Sequence, residues 1–188
     1  MDEKTLIDQA LRGDNEAFNV LLEPYIKQAH QTAYLLLHDY SLVEDSVQEA
    51  LIQTYTSLKR FNSERASFKT WFNRIVINCT LKQKRKLKVS LPLHETYATK
   101  ENSEMNYLLK EEDQFILNSV RSLKEKYQTT IILYYFQELS IEEIGETLNI
   151  RQGTVKSRLF TARKILKKQL NSHDLFSSER REWVWKKS

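Results

Sequence analysis

The sequence is poor in the residues that make turns. It has 3 glycines and 2 prolines in 188 residues, where average usage would supply roughly 13 and 9. Strand-rich sandwiches and barrels need a turn every few residues, so this composition argues against them. The single cysteine, Cys79, excludes an internal disulfide framework and any zinc site built from several cysteines. Hydrophobic residues still make up 40% of the chain, enough for a packed core, so the protein is not disordered throughout.

Long hydrophobic runs and catalytic arrangements are also missing. No run approaches the roughly 18 apolar residues of a transmembrane helix, and the stretch from Met1 to Lys4 lacks the pattern of a signal peptide. We therefore expect a soluble, cytoplasmic protein. His30 and His38 are too far apart to share a metal at helical spacing, and Cys79, with no histidine nearby, is expected to be buried and inert. We expect no metal, no cofactor, no small-molecule substrate and no enzymatic activity.

The charged residues are unevenly distributed, although the net charge is only +4. No acidic residue occurs between Glu146 and Asp174, a stretch rich in lysine and arginine. A second basic cluster lies at residues 82–88, and an acidic stretch at residues 101–113 separates the two. This pattern indicates two surfaces that meet one polyanion, with a spacer between them. The alternative, which charge alone leaves equally open, is that each cluster is a solvated helix face.

Helical periodicity fills the first half of the chain. Asp14, after Gly13, is predicted to cap a second helix that Pro24 then kinks or restarts. A capping box at residues 41–44 is predicted to begin the next helix, and the polar loop 62–67 to precede the last one. Four helices would close one small core. The residues predicted to lie on the core side of the third helix are Val47, Ala50, Leu51 and Tyr55.

Residues 89–112 lose this periodicity and carry an acidic bias. A structureless stretch of this length is unusual inside one compact domain, so we place a boundary there. The sequence therefore predicts an all-α protein of two small helical domains, residues 1–88 and 113–172. A flexible linker at 89–112 joins them, and a tail follows at 173–188.

The most informative motif spans residues 140–166. Ser140 and Glu143 match a capping box, and Gly145 supplies a small residue where two helices would cross closely. A tight turn at 149–152 and a basic helix from about residue 153 to 170 follow. An ordinary amphipathic helix would not explain these features together, so we interpret them as a DNA-binding helix-turn-helix. Its predicted DNA contacts are Arg151, Thr154, Lys156, Ser157, Arg158, Thr161, Arg163 and Lys164.

Aromatic and basic residues alternate from Phe61 to Lys88. Single-stranded nucleic acid is bound in this way, because its bases stack on aromatic rings and its phosphates pair with cations. Trp71 at helical spacing fits a core better, which leaves the loop 62–67 as the better candidate for contacting bases. The residues predicted to bind DNA here are Asn62, Ser63, Arg65, Ser67, Lys69, Arg74, Lys82 and Arg85.

Three polar residues share one face of the third helix, since Asp45, Gln48 and Glu49 stand at positions i, i+3 and i+4. Two carboxylates with a glutamine between them could hold a metal or act as acid and base. Spacing alone favours a solvated face over that interpretation. A face that docks another protein is the third possibility.

Taken together and in this order, the motifs resemble those of the extracytoplasmic-function sigma factors, small promoter-specificity subunits of bacterial RNA polymerase. The resemblance covers roughly residues 5–170 and is carried by five segments. They are residues 6–18, 44–50, 68–78, 139–145 and 153–159.

The resemblance implies a role in promoter recognition, in a stress or envelope response. Asp45, Gln48 and Glu49 would dock on the clamp helices of the largest subunit of core RNA polymerase, whose flap region is a further expected partner. The loop 62–67 would capture bases of the −10 element, and the helix-turn-helix would read the −35 element of promoter DNA. A membrane-anchored anti-sigma factor is expected by analogy. The family often has an aspartate where Lys82 stands, so the lysine favours a phosphate contact.

A stand-alone operator-binding regulator is the alternative. It would share the helix-turn-helix but leave the face of Asp45, Gln48 and Glu49 unexplained, together with the loop 62–67. It would also normally need a dimer to read two half-sites.

Overall fold

Helices account for the regular structure of residues 2–90 and 111–171, which are the residues that the computed structural model describes. The all-α prediction is confirmed for this part of the chain. It divides into two compact units, one containing the helices before residue 91 and the other the helices after residue 110 except for Glu146–Leu148. The predicted linker at 89–112 lies almost wholly outside the described residues, and so does the predicted tail at 173–188.

Four helices of the first unit enclose one hydrophobic core. The most deeply buried side chains come from three of them: Ala33, Ala50, Phe68 and Phe72 are completely inaccessible. A short 3₁₀ turn, Leu58–Arg60, leads into the loop 62–67. The helices are α1 (Glu3–Leu11), α2 (Asn15–Leu37), α3 (Tyr40–Ser57) and α4 (Phe68–Ser90).

The second helix begins as predicted but does not restart at its proline. The Asp14 carboxylate accepts hydrogen bonds from the backbone N–H groups of Glu16 and Ala17 at 3.0 and 3.1 Å, which caps α2. Pro24 lies inside the uninterrupted helix. A proline removes one backbone hydrogen bond, but buried residues on both sides, such as Leu22 and Ala29, stay in helical phase and hold α2 to the core. The restart alternative is therefore wrong.

The third helix has a different cap from the one predicted. Asp39 is its N-cap, and the Asp39 carboxylate accepts a hydrogen bond from the backbone N–H of Leu42 at 3.0 Å. The capping box predicted at residues 41–44 is wrong. Glu44 instead lies 3.3 Å from the Nε2 atom of His30 on α2.

The second unit carries a buried stripe along its last helix. Val155, Leu159, Ala162 and Leu166 are all buried, at the i, i+4, i+7 and i+11 spacing of a core-facing side. A short π-helical segment, Ile132–Phe136, directly follows the second helix of this unit. The helices of this unit are α5 (Glu111–Arg121), α6 (Glu125–Ile131), α7 (Ile141–Leu148) and α8 (Gln152–Asn171).

The predicted capping box and tight turn of α7 and α8 are confirmed. Ser140 Oγ accepts from the backbone N–H of Glu143 at 3.1 Å, and the Glu143 carboxylate accepts from the N–H of Ser140 at 2.8 Å. After α7, Asn149 adopts a left-handed φ of +53°, and the N–H of Ile150 donates to the carbonyl of Gly145 at 2.9 Å. A Cβ atom on Gly145 would lie 2.9 Å from the Ile150 carbonyl oxygen, so the turn requires glycine.

Candidate nucleic-acid and partner-binding surfaces

The polar face predicted on α3 is exposed and includes an isoleucine. Asp45 and Gln48 are exposed, Glu49 is partly exposed, and all three lie away from the buried Val47. Ile52, four residues after Gln48, is 66% exposed. We call Asp45, Gln48, Glu49 and Ile52 the α3 face. Sequence analysis missed Ile52, although it falls outside the buried positions of α3 and keeps the spacing of the polar residues.

An apolar groove between α2 and α3 adjoins this face. Tyr55 was predicted to lie on the core side but is 46% exposed. Its ring packs edge-on against Phe18 at a centroid distance of 5.1 Å, so the ring lies at the border of the core. With Val20 and Ile52 it lines a groove of about 630 Å³, which the carboxylate-bearing Glu16 and Glu23 also line. An exposed apolar groove with acidic residues is typical of a surface that binds another protein.

A row of polar residues runs along the exposed side of α4. Arg74, Lys82 and Arg85, all predicted to bind DNA, are exposed there together with Asn78. We call these four residues the α4 stripe. Their spacings of four, four and three residues place them on one side of the helix. Lys69, five residues before Arg74, lies on another side and is only partly exposed. Asn78 was not predicted as a contact, although its i+4 spacing from Arg74 could have indicated it.

Side-chain hydrogen bonds join α3 to α4 where the stripe meets the α3 face. Lys82 Nζ donates to Glu49 Oε1 at 2.6 Å. Cys79 Sγ donates to Gln53 Oε1 at 3.1 Å. Burial raises the pKa of the Cys79 thiol to about 11. The thiol is buried and protonated at neutral pH, as the prediction of an inert cysteine requires.

The loop 62–67 is held by its own polar groups. Asn62 Oδ1 accepts from the backbone N–H of Glu64 at 2.8 Å, a turn that leaves the side-chain amide nitrogen as the group able to reach a base. Ser67 Oγ accepts from the N–H of Thr70 at 3.2 Å and caps α4. Ser63 and Arg65 are exposed at the tip. The loop thus has a defined shape in which Asn62, Ser63 and Arg65 face solvent.

Aromatic rings anchor both ends of this loop. Phe61 precedes it, and the Phe61 ring lies 5.6 Å from Phe68 and 5.3 Å from Trp71, both of which follow the loop. Phe68 is completely buried, whereas Trp71 is partly exposed. Trp71 packs against the core, as predicted. The ring packing fixes where the loop leaves and rejoins the helices.

The exposed side of α8 differs in part from the predicted DNA-binding set. Arg151, Thr154, Lys156, Ser157 and Lys164 are exposed, whereas Arg158, Thr161 and Arg163 are partly buried. Phe160 is the most exposed large hydrophobic side chain of the described residues, at 70%. It lies three residues after Ser157 and four before Lys164, on the side opposite the buried stripe. Sequence analysis missed Phe160 because its residue type favours the core.

Arg163 is held by the π-helical segment. Its Nε donates to the hydroxyl of Tyr135 at 3.0 Å. The guanidinium carbon lies 5.4 and 5.7 Å from the ring centroids of Tyr134 and Tyr135, within the range of cation–π contacts. A guanidinium has five N–H donors, so this contact orients Arg163 and leaves donors for a phosphate.

Neither a metal cluster nor a membrane span occurs within residues 2–90 and 111–171. No three histidine, cysteine, aspartate or glutamate side chains there are placed to hold a metal ion. None of the helices described is both long and apolar enough to cross a membrane.

Comparisons with known proteins identify both units. The family model described as Sigma-70 region 2 matches residues 21–89, and the model described as Sigma-70, region 4 matches residues 116–166. The chain is similar to the ECF RNA polymerase sigma factor SigW of Bacillus subtilis (strain 168), with 36% identity over 180 residues, 89% of this chain and 96% of that protein. It is also similar to the ECF RNA polymerase sigma-E factor of Escherichia coli (strain K12), with 31% identity over 181 residues, 88% and 93% of the two chains.

Solved structures share the fold at lower sequence identity. CnrH, in its complex with the cytosolic domain of CnrY, has a TM-score of 0.72 and 20% identity, covering 92% of this chain and 99% of its own. The sigma factor RpoE of Bartonella quintana, in complex with the anti-sigma factor NepR, has a TM-score of 0.65 and 20% identity. The match covers 82% of this chain and 96% of RpoE.

Proposed function

The chain belongs to the ECF RNA polymerase sigma factors, which direct core RNA polymerase to specific promoters, and we propose that its separate surfaces divide that work. The α3 face would bind core polymerase. The loop 62–67, with Arg74 and Arg85 of the α4 stripe, would hold the −10 element, and α8 would read the −35 element. The observation that carries this assignment is that the first unit has an exposed polar and apolar face on α3 beside a basic stripe on α4.

The docking surface would combine polar and apolar groups. The carboxylates and amide of Asp45, Gln48 and Glu49 provide charged and hydrogen-bonding groups, and the exposed Ile52 provides the apolar centre that protein interfaces bury. The adjoining groove with Tyr55 and Val20 would extend this contact. The largest subunit of polymerase, through its clamp helices, is the proposed partner, with the flap region as a second contact of the chain.

Capture of the −10 element would rest on the loop 62–67. Its ring-anchored ends hold Asn62, Ser63 and Arg65 outward, so a base that leaves the duplex can meet a preformed surface. Unstacking a base costs a few kcal/mol, and a site that accepts the flipped base both stabilises melting and selects sequence. Arg74 and Arg85 of the α4 stripe would contact the neighbouring phosphates.

Replacing Asn62 and Ser63 with alanine should weaken binding of the holoenzyme to a fork with a single-stranded −10 segment. The base preferred in that segment should change as well, because the pairing-edge contacts are lost. The measurement is affinity for forks that carry each of the four bases at each −10 position. Ser67→Thr, which keeps a neutral hydroxyl N-cap for α4, serves as the control for loop shape. If affinity and base preference are both unaltered, the loop is a connector only.

Recognition of the −35 element would use the outward side of α8. Thr154, Ser157 and Arg158 offer hydrogen-bonding groups for base edges, and the exposed ring of Phe160 can contact a thymine methyl group. Arg151, Lys156 and Lys164 are suited to phosphates. Arg163, oriented by Tyr134 and Tyr135, would act as a prearranged phosphate contact.

We expect different effects from two single substitutions in α8. Arg158→Ala should cost roughly 1–3 kcal/mol and relax the preference at particular −35 positions. Lys164→Ala should weaken binding to all promoters about equally. It should also lower the slope of log affinity against log salt concentration by about one. Affinities of the holoenzyme for −35 variants at several salt concentrations measure both effects. If both variants lose affinity uniformly, Arg158 contacts only phosphate.

Four further parts of the proposal follow from family membership. The protein would have no enzymatic activity of its own, would act in the cytoplasm where core polymerase and DNA meet, and would respond to stress or envelope signals. An anti-sigma factor, anchored in the membrane, would restrain it. In support, RpoE of Bartonella quintana forms a complex with the anti-sigma factor NepR, and CnrH forms one with the cytosolic domain of CnrY.

Run-off transcription with core polymerase on genomic DNA tests the function as a whole. A sigma factor should start transcription at a discrete set of promoters. It should also bind duplex promoter DNA poorly without polymerase, whereas an operator-binding regulator would bind specifically alone. Specific duplex binding without core, and no transcription with it, would overturn the proposal.

A further inference from the structure

The resemblance predicted that Lys82 contacts a DNA phosphate, but the structure places its ammonium group against a carboxylate. Lys82 hydrogen-bonds the side chain of Glu49, which belongs to the α3 face. The Nζ–Oε1 distance of 2.6 Å is that of a short, charge-assisted hydrogen bond. The side chains remain 58% and 39% exposed, so the pair lies at the surface where the two helices meet.

We propose that Lys82 is a positioning residue for polymerase docking, which holds the Glu49 carboxylate on the α3 face, and that it is not a DNA contact. This inference rests on the proposed docking function of Glu49. A glutamate on an exposed helix face samples several rotamers, and docking has to fix one of them at a cost in side-chain entropy. A cross-helix bond that already restricts Glu49 lowers that cost.

A second contact supports the same register of α3 against α4. Gln53 lies one helical turn after Glu49, and Cys79 lies nearly one turn before Lys82. Cys79 Sγ donates to Gln53 Oε1 at 3.1 Å. The two bonds join adjacent turns of both helices. The turn of α4 that carries Lys82 is therefore held against α3.

The charge of Lys82 also bears on whether this residue binds a DNA phosphate. The bond to Glu49 raises the pKa of Lys82, so the ammonium group is charged throughout the neutral range. That charge is already compensated by the adjacent carboxylate. A lysine paired in this way adds little to the counterion release that drives phosphate binding. We therefore expect the salt dependence of DNA binding to be independent of Lys82.

The test is a double-mutant cycle on affinity for core polymerase, measured for the full chain with Lys82→Ala, Glu49→Ala and both together. Lys82→Ala should weaken core binding by roughly 3- to 10-fold, and the double variant should bind no more weakly than Glu49→Ala alone. Lys82→Arg keeps a donor and should restore most of the affinity. An exposed ion pair contributes little to folding stability, so Lys82→Ala should melt close to the wild-type temperature.

Salt titration of the assembled holoenzyme on a −10 fork provides the second readout. With core polymerase in saturating excess, Lys82→Ala should leave the slope of log affinity against log salt unchanged. Arg74→Ala, the matched removal of a cation from the same stripe, should lower the slope by about 0.7–0.9.

The outcomes separate the inference from the function on which it rests. If Glu49→Ala leaves core affinity unchanged, the docking role of Glu49 fails, and the role of Lys82 fails with it. If Glu49→Ala weakens core binding but Lys82→Ala does not, or if the two effects add, only the inference about Lys82 is wrong. A slope that falls with Lys82→Ala as it does with Arg74→Ala would identify Lys82 as a phosphate contact.

Discussion

Replacing both Gln48 and Glu49 with alanine is expected to abolish promoter-directed transcription while leaving the helix content of the protein unchanged. Both side chains point away from the core, whereas Val47 and Ala50 beside them are buried and stay in place. Removing a hot-spot residue at the centre of an interface costs about 2 kcal/mol or more, which corresponds to a loss in affinity of roughly 30-fold or more. Run-off transcription, affinity for core polymerase and circular dichroism measure the three expectations.

A matched control separates docking from a general effect of lost polar groups. Asp8→Ala with Gln31→Ala removes one acid and one amide from exposed positions of α1 and α2. This control should transcribe at the wild-type level. Should core polymerase co-purify with the Gln48 and Glu49 double variant at the wild-type yield, the docking surface lies elsewhere on the chain.

Gly145→Val is expected to remove −35 recognition by opening the turn between α7 and α8. The new Cβ would lie 2.9 Å from the carbonyl oxygen of Ile150, and a backbone atom cannot move aside as the end of a flexible side chain can. Overpacking of this kind costs roughly 1–3 kcal/mol, and the melting temperature should fall by roughly 4–20 °C. Thermal unfolding and transcription from promoters that depend on the −35 element measure the effect.

The other glycine of this motif provides the control. A Cβ on Gly153, in the first turn of α8, would meet nothing within 4 Å. Gly153→Ala should therefore leave the melting temperature unchanged or raise it, because alanine is the better helix former. If Gly145→Val melts and reads the −35 element like the wild type, the close approach at Ile150 is not a constraint on the turn.

Local sequence signals predicted the helices well where no distant residue competed for the same groups. The pattern of a serine followed three residues later by glutamate occurs at Ser140 and again at Ser41. The first forms the predicted capping box. The second does not, because Asp39 caps α3 from two residues upstream and Glu44 pairs with His30 of another helix. A pattern of neighbouring residues cannot show contacts of this kind, which join different helices.

The candidate surfaces were harder to predict than the core. Periodicity identified the buried stripe of α8, since burial depends on residue type and spacing alone. Ile52 and Phe160 are apolar and yet exposed, and the sequence analysis, which looked for polar and basic residues on these surfaces, did not select them. The bond between Lys82 and Glu49 joins residues 33 positions apart. It connects two surfaces that sequence analysis treated as independent.

The buried thiol of Cys79 makes the protein suitable for site-selective labelling. It is the only cysteine of the chain, and a pKa of about 11 leaves about one thiol in a thousand ionised at pH 8. A maleimide dye or a photocrosslinker would react with a cysteine introduced at an exposed position outside the proposed contacts, such as Ser41 or Glu142, much faster than with Cys79. Distances to polymerase or DNA could then be followed by fluorescence without first removing a native residue.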